Sequence, residues 1–473
     1  MTQWNAMAGA AGAPGAEEAD RPLSPLERWY WICDQISPLC VLSHARLHGP
    51  FDAEQAARAL AALQRRHPLL RASITADGQG RNPRFRPAPG REIPLRTVTV
   101  SPESGDAGER WHKEANTYEL VTAVNWRTGP LARALVVTRP GTGGAPDVHD
   151  LVLTLPHCIA DGTTALTLLR QWIELAAEIA SYEDGSGAGQ GAPDVRSVRM
   201  LPAPEQLLPP SHRGLAGVRK IVAQQIADQG VAKRVQPRRF EPTIRVPFEE
   251  RVTQLLPRSL PADQLAELVE ACKREQTTVH GALAAALATA VAQDAGDRPG
   301  PLTIGSPITF RNELVPPVRE DEIGSYVATV PTVVDYRPGA PLWPMARSIS
   351  RDLARARRRG VPLTSIATLR PVAPKSVAKS ERFLRFMEEK GPITLCISNI
   401  GRYDFPDTVG PWQVSSAEFI AGLSVNAYYA AAINTSHGRL AWNVTHVEGA
   451  VSAERAERLA DASLETVLTA ATS

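Results

Sequence analysis

Residues 151–180 constrain the fold more than any other part of the chain. Their first five positions, 151–155, have the length and apolar composition of a buried β-strand. Apolar side chains then recur at helical spacing, and either Thr163 or Thr164 is suited to cap that helix. Three residues lie in the turn between the two elements: His157, Asp161 and Gly162. The segment predicts a strand–turn–helix unit with a histidine at the strand end, where functional side chains often lie.

His157 is the candidate general base of this turn. An imidazole exchanges protons near neutral pH because its unperturbed pKa is about 6.5. A hydrogen-bonded structural histidine is the alternative. The adjacent Cys158 is expected to be a packed thiol, since neighbouring side chains point apart at a strand end. The remaining histidines show no spacing typical of metal ligands, so no metal site is predicted.

Length and charge restrict the class of protein. At about 150 residues per domain, 473 residues suffice for two or three domains. The 52 basic and 50 acidic side chains give a net charge of +2, so neither a nucleic acid nor a membrane is expected as a partner. No apolar run reaches the ~18 residues of a membrane helix, and no secretion signal is recognised. Five scattered cysteines predict neither disulfides nor zinc, and we expect a cytoplasmic protein.

Linker composition divides the chain into four parts. Residues 1–20 are expected to form a disordered tail and residues 21–185 an N-terminal lobe that carries the histidine motif. Residues 186–246 are interpreted as a linker or crossover, and residues 247–473 as a C-terminal lobe. Strands are predicted at residues 41–47, 130–137, 151–155, 302–310, 326–334, 393–399 and 440–445, and helices beginning near residues 25, 52, 163, 278, 343 and 452. The predicted fold class is therefore α/β (α+β).

Seven short strings occur in a characteristic order along the chain. They are residues 23–27 (LSPLE), 67–71 (HPLLR), 156–162 (PHCIADG), 277–280 (TTVH), 305–311 (GSPITFR), 324–331 (GSYVATVP) and 398–402 (SNIGR). In this order they resemble the condensation domains of nonribosomal peptide synthetases and the related polyketide-associated acyltransferases, with chloramphenicol acetyltransferase as a simpler relative. The resemblance runs from about residue 23 to the end of the chain.

The resemblance implies two chloramphenicol acetyltransferase-like lobes in a V-shaped pseudo-dimer, with an active-site channel between them that is open at both faces. It implies acyl transfer at a catalytic motif of His157, Asp161 and Gly162, with the histidine as base. The family's aspartate pairs with the arginine matching Arg311, so a structural ion pair is expected. Gly162 is expected to permit a close approach or a special backbone conformation. Two further residues, Ser398 and Asn399, are candidates for stabilising the oxyanion or contacting substrate, or for capping a turn.

Pro156 departs from the family pattern. Condensation domains usually carry two adjacent histidines there, so the proline points away from an ordinary peptide-bond-forming module. Since no adenylation or carrier domain is recognised on this chain, we expect a standalone acyltransferase of natural-product biosynthesis. We expect it to be monomeric, because a two-lobed channel needs no partner subunit. Its donor would be an acyl carrier protein or acyl-CoA thioester and its acceptor a small-molecule alcohol (ester, slightly favoured) or amine (amide), without a bound cofactor or metal.

Two other functions stay open. The chain is alternatively a catalytically degenerate condensation-like protein that docks a carrier protein and recruits or gates another enzyme, or its site is reused for a cyclisation or another rearrangement. The arginines of residues 347–359 are expected to receive a carrier protein or coenzyme A phosphates, or else to form a solvated helix face.

Overall fold

The computed structural model describes residues 19–101, 108–183, 196–391 and 393–473. Nearly all of the predicted tail and the first part of the predicted linker lie outside these residues. The strands are β1 Cys40–His48, β2 Ala72–Thr75, β3 Arg84–Pro87, β4 Leu95–Thr99, β5 Arg133–Arg139, β6 Val148–Pro156, β7 Thr253–Leu260, β8 Gly300–Thr309, β9 Val327–Tyr336, β10 Leu395–Arg402, β11 Thr408–Val409, β12 Trp412–Ala421, β13 Tyr429–Ser436 and β14 Arg439–Val447. The helices are α1 Pro25–Asp34, α2 Ala53–Arg66, α3 Arg110–Glu114, α4 Gly162–Glu183, α5 Gly214–Val235, α6 Ala262–Arg274, α7 Val279–Asp294, α8 Leu342–Arg358, α9 Val361–Val372, α10 Glu381–Lys390 and α11 Ala453–Thr472.

Two six-stranded sheets organise the described chain. The first has the strand order β11-β12-β1-β6-β5-β4, and the second has the order β7-β14-β13-β10-β8-β9. Both mix parallel with antiparallel pairs: β4 runs parallel to β5 in the first, and β10 runs parallel to β8 and β13 in the second. Helices pack on each sheet around a separate apolar core. The predicted mixed α/β class is confirmed.

The second half of the chain contributes two strands, β11 and β12, to the first sheet. β12 comes from the second half but pairs antiparallel with β1 of the first sheet, with Val41 opposite Ala421. Trp412 and Phe419 of β12 are buried in the same core as Leu153 of β6. The predicted boundaries at residues 185 and 247 follow linker composition and stay predictions. Because β12 belongs to the first sheet, the first half of the chain does not contain that whole sheet.

Local sequence explains why the helices begin where they do. Pro25 opens α1, and Ser24 and Glu27 form the reciprocal hydrogen bonds of a capping box. The expectation that Thr163 or Thr164 caps α4 is wrong. The cap is Asp161, whose Oδ1 accepts a hydrogen bond of 2.8 Å from the Thr164 backbone N–H. A carboxylate is among the preferred caps, so the helix begins at Gly162, close to the histidine.

The interval predicted as a crossover contains the 22-residue helix α5, which the sequence patterns did not identify. Within the described part of the chain, no helix is both long and apolar enough to cross a membrane.

Candidate active site

His157 lies directly after β6, an inner strand of the first sheet. β6 pairs with β1 on one side and β5 on the other, and the His157 backbone N–H donates to the Leu39 carbonyl at 3.0 Å. On the side chain, Nδ1 lies 2.8 Å from the Ala160 carbonyl oxygen. Because a carbonyl can only accept, Nδ1 carries the proton and Nε2 keeps its lone pair. The turn therefore fixes one tautomer of the imidazole.

The protein around His157 also favours its uncharged form. Burial lowers the pKa of His157 below its ordinary value of 6.5, against the smaller opposing effects of hydrogen bonding and of Asp161. The ring stacks on Tyr30 of α1, with ring centroids 4.1 Å apart and planes inclined by 5°. At neutral pH the imidazole is thus neutral and unprotonated at Nε2, and its stacking on Tyr30 fixes the orientation of the ring.

A cavity of about 830 Å³ lies between the two lobes and includes His157 in its wall. Both lobes supply its lining, and most of the lining side chains are apolar; examples are Trp29, Leu353, Ile366, Phe383, Met387 and Val425. Ser398 and Asn399 also line this cavity, as do Asp161 and Gly162. The structure therefore brings the predicted site residues of both halves to one cavity, with Arg311 directly behind Asp161.

Asp161 is held by a buried network that joins the two halves of the chain. Its carboxylate is 2% exposed, and Oδ1 lies 3.4 Å from Nη2 of Arg311. Oδ2 accepts a 2.9 Å hydrogen bond from the backbone N–H of Tyr326, and Arg311 also donates to the Thr164 hydroxyl and to the Glu322 carbonyl. The partner of the His157 imidazole is a backbone carbonyl rather than this carboxylate. Both oxygens of Asp161 are thus occupied away from the imidazole.

Gly162 stands where a strand from the second half approaches closely. A Cβ at this position would lie 2.7 Å from two ring carbons of Phe419 on β12. Ordinary carbon–carbon contacts are about 3.5–4.0 Å. Of the two expectations for Gly162, the close approach is therefore the one that the geometry fits.

Ser398 and Asn399 lie in the middle of β10, which continues to Arg402, rather than at the strand end. The Asn399 side-chain oxygen accepts a 2.7 Å hydrogen bond from the Gly401 backbone N–H, where β10 slips its register against β13. That bond uses the amide oxygen at the irregularity of the strand and leaves the Nδ2 group as a donor. Ser398 lies one residue earlier and is half-buried.

Comparison with known proteins shows which family model and which proteins this chain resembles. Residues 258–445 match the family model described as the C-terminus of phthiocerol/phthiodiolone dimycocerosyl transferase. A stretch of 160 residues, 33% of the chain, is 28% identical to the nonribosomal peptide synthetase kk1B of Curvularia clavata, and it spans only 1% of that protein.

Solved structures match over nearly the full length. The first condensation domain of the calcium-dependent antibiotic synthetase, in complex with a substrate analogue, has a TM-score of 0.71 at 15% identity, covering 97% of both chains. Polyketide synthase associated protein 5 from Mycobacterium tuberculosis has a TM-score of 0.63 at 16% identity, covering 96% of this chain and 99% of that one. SgcC5 from Streptomyces globisporus has a TM-score of 0.66 at 16% identity, covering 95% and 98%. This chain has the fold of a condensation domain.

The resemblance to condensation domains and polyketide-associated acyltransferases that the seven strings indicate is thereby confirmed. Within this condensation-domain fold, sequence reasoning missed three site features. Tyr30 stacks on the histidine, Phe419 packs against Gly162, and His280 lines the cavity from the second lobe. The string at residues 277–280 contained the signal for His280 but was interpreted only as a helix start. Tyr30 and Phe419 carry no local signal, because they reach the motif from distant segments.

Two further observations concern thiols and metals. Cys158 is 2% exposed, and burial raises the pKa of its thiol well above the usual range, as expected for a packed cysteine. Among the residues that the structure describes, no three His, Cys, Asp or Glu side chains are grouped to hold a metal ion.

Proposed function

We propose that the protein is an acyltransferase of natural-product biosynthesis. It takes an acyl group from a carrier-protein or coenzyme A thioester and transfers it to a hydroxyl group, or alternatively to an amine, with His157 as general base. The observation that carries the proposal is the neutral His157 in the wall of the inter-lobe cavity, with its proton on Nδ1 and its lone pair on Nε2.

The proposed reaction needs one proton acceptor and returns its proton at the end. Nε2 of His157 takes the proton of the acceptor hydroxyl while the hydroxyl oxygen attacks the thioester carbonyl. The tetrahedral intermediate then collapses, the carbon–sulfur bond breaks, and the imidazolium gives the proton to the departing thiolate. The hydrogen bond from Nδ1 to Ala160 stays in place throughout and disperses the transient positive charge.

The negative oxygen of the intermediate needs a hydrogen-bond donor. Asn399 Nδ2 is suited to this role because the oxygen of that amide is already engaged by Gly401. The Ser398 hydroxyl is a second candidate on the same strand. Asp161 has a positioning role in this proposal, since its carboxylate is engaged by Thr164, Tyr326 and Arg311.

Ester formation is favoured over amide formation by two observations. Pro156 replaces the first histidine of the usual condensation motif. The solved structure of SgcC5 contains a naphthyl ethanediol, which is an alcohol. Whether the donor is a carrier protein or coenzyme A is decided by supplying the same acyl group on each.

The test uses purified protein with octanoyl-CoA or an octanoyl-loaded carrier protein and a panel of alcohols and amines, with products measured by mass spectrometry. We expect His157→Ala to lower the transfer rate by about 10²- to 10⁴-fold, the usual contribution of a general base. His48→Ala is the matched control. His48 is the last residue of the neighbouring strand β1, at the end of the sheet opposite to His157, and it lies outside the cavity lining. Circular dichroism verifies folding. Equal, measurable rates for wild type and folded His157→Ala contradict the assignment of His157 as base. A wild type that transfers no acyl group favours the carrier-docking alternative.

A further inference from the structure

A second histidine faces the cavity from the opposite lobe. His280 lies in the first turn of α7, half-buried, and lines the same cavity as His157. Its Nε2 lies 3.0 Å from the hydroxyl oxygen of Ser306 on β8. Ser306 is 0% exposed and also belongs to the cavity lining. Its hydroxyl therefore orients the ring of His280.

The other ring nitrogen of His280 is free to bind. Within the described residues, Nδ1 of His280 makes no hydrogen bond, although the ring borders the cavity. Burial lowers the pKa of His280 to about 4, which keeps the ring neutral at physiological pH. The cavity wall thus presents an uncharged imidazole nitrogen.

The His280–Ser306 hydrogen bond can run in either direction. When Ser306 donates to Nε2, Nδ1 carries the proton and donates to the cavity; when Nε2 donates to Ser306, Nδ1 is an acceptor. A hydroxyl group also donates and accepts, so it matches both tautomers. A carboxylate or an ammonium would match only one of them and would find no opposite charge on this pair.

The carboxylates of the cavity wall already have hydrogen-bond partners within the protein. Asp161 is engaged by Arg311, and Glu388 accepts hydrogen bonds from Arg251 and the Tyr428 hydroxyl. Neutral hydrogen bonding is therefore what His280 offers to a substrate.

We propose that His280, positioned by Ser306, is the binding residue for a second hydroxyl group of the acyl acceptor. This inference rests on the proposed function in taking the cavity as the acceptor site. The reacting hydroxyl group is bound at His157, so the group bound at His280 is a second hydroxyl group of the same acceptor. The acceptor class is then a diol or polyol whose remaining surface is apolar, as most of the cavity wall is.

Equilibrium binding tests this without requiring turnover. The probes are 1,2-octanediol and 1-octanol, which differ by one hydroxyl group, and the affinities are measured by isothermal titration calorimetry. One neutral hydrogen bond is worth a factor of about three to ten in affinity, so wild type should prefer the diol by about that factor. His280→Phe should remove the preference, and Ser306→Ala should reduce it because the ring loses its orientation.

Thr329→Val is the matched control. Thr329 is another cavity-lining hydroxyl, half-buried on β9, and valine keeps its shape, so the diol preference should persist in this variant. If His280→Phe does not fold, Ser306→Ala decides. A wild type without diol preference, or a preference that survives Ser306→Ala unchanged, overturns the inference. Selective diol binding without acyl transfer contradicts the proposed function alone, and transfer without diol preference contradicts this inference alone.

Discussion

Replacement of Asp161 distinguishes a structural aspartate from a catalytic one. Asp161→Ala removes a helix cap, worth about 1 kcal/mol, and leaves Arg311 buried with its side chain only 9% exposed and without its carboxylate. Losing one member of a buried ion pair costs about 3–5 kcal/mol. The 3.4 Å separation is long for such a pair, and Arg311 keeps the Thr164 and Glu322 oxygens, which places the expected total near the lower end of that range.

A double-mutant cycle isolates the ion pair from the cap. Arg311→Met should destabilise the protein on its own, whereas Asp161→Ala with Arg311→Met removes both charges and should cost less than the sum of the single changes, by about 1–3 kcal/mol. Urea unfolding at fixed pH, followed by tryptophan fluorescence, measures the free energies.

Activity completes this test. Asp161→Asn retains a capping oxygen and a similar shape, so we expect its folded fraction to transfer acyl groups within about tenfold of wild type, far above the loss expected for a missing base. The reasoning is refuted if Asp161→Ala is as stable as wild type. It is equally refuted if folded Asp161→Asn loses as much activity as His157→Ala.

Three further outcomes follow from the geometry. Gly162→Ala should lower stability by about 1–3 kcal/mol through its 2.7 Å approach to Phe419, and Phe419→Leu should recover part of that loss; urea midpoints without such recovery contradict the packing argument. The acid limb of the pH profile of kcat/KM should have an apparent pKa below 6.5, because burial lowers the pKa of His157; a limb above pH 7 would exclude this imidazole as the titrating base. Burial disfavours the charged form of His44, but its hydrogen bonds to Asp150 and Glu418 prevail and raise its pKa. The stability that the charged imidazole adds below pH 6.5 should therefore be lost as the pH rises through the raised pKa. If the unfolding midpoint of wild type falls no faster over this pH range than that of His44→Gln, the prediction is wrong.

The sequence predicts those parts of the fold that are encoded locally. Apolar periodicity located α4, α7 and the central strands, capping residues located the start of α1, and the motif string located His157 at the end of β6. The ordered strings also indicated the family and brought Asp161 and Arg311 together, although 150 residues separate them.

What escaped prediction depends on contacts between distant segments. β12 has ordinary strand composition, and nothing in residues 412–421 indicates that its partner is β1 rather than a strand of its own half. The packing of Phe419 on Gly162 follows from the pairing of β12 with β1. Helix α5 was missed although Leu215, Val218, Val222 and Ile226 recur at helical spacing; in the structure these side chains are exposed.

The position of β12 in the first sheet also affects when the proposed site can form during synthesis. The turn at residues 157–162 is translated before Phe419, which packs on its glycine, and before Ala421, which pairs with Val41. Until then β1 has an open edge, and an unpaired edge strand invites association with other chains. A nascent chain that stalls before β12 would therefore leave the edge of β1 unpaired and Gly162 without its packing partner Phe419. The proposed site thus takes its final form only after β12 has been translated.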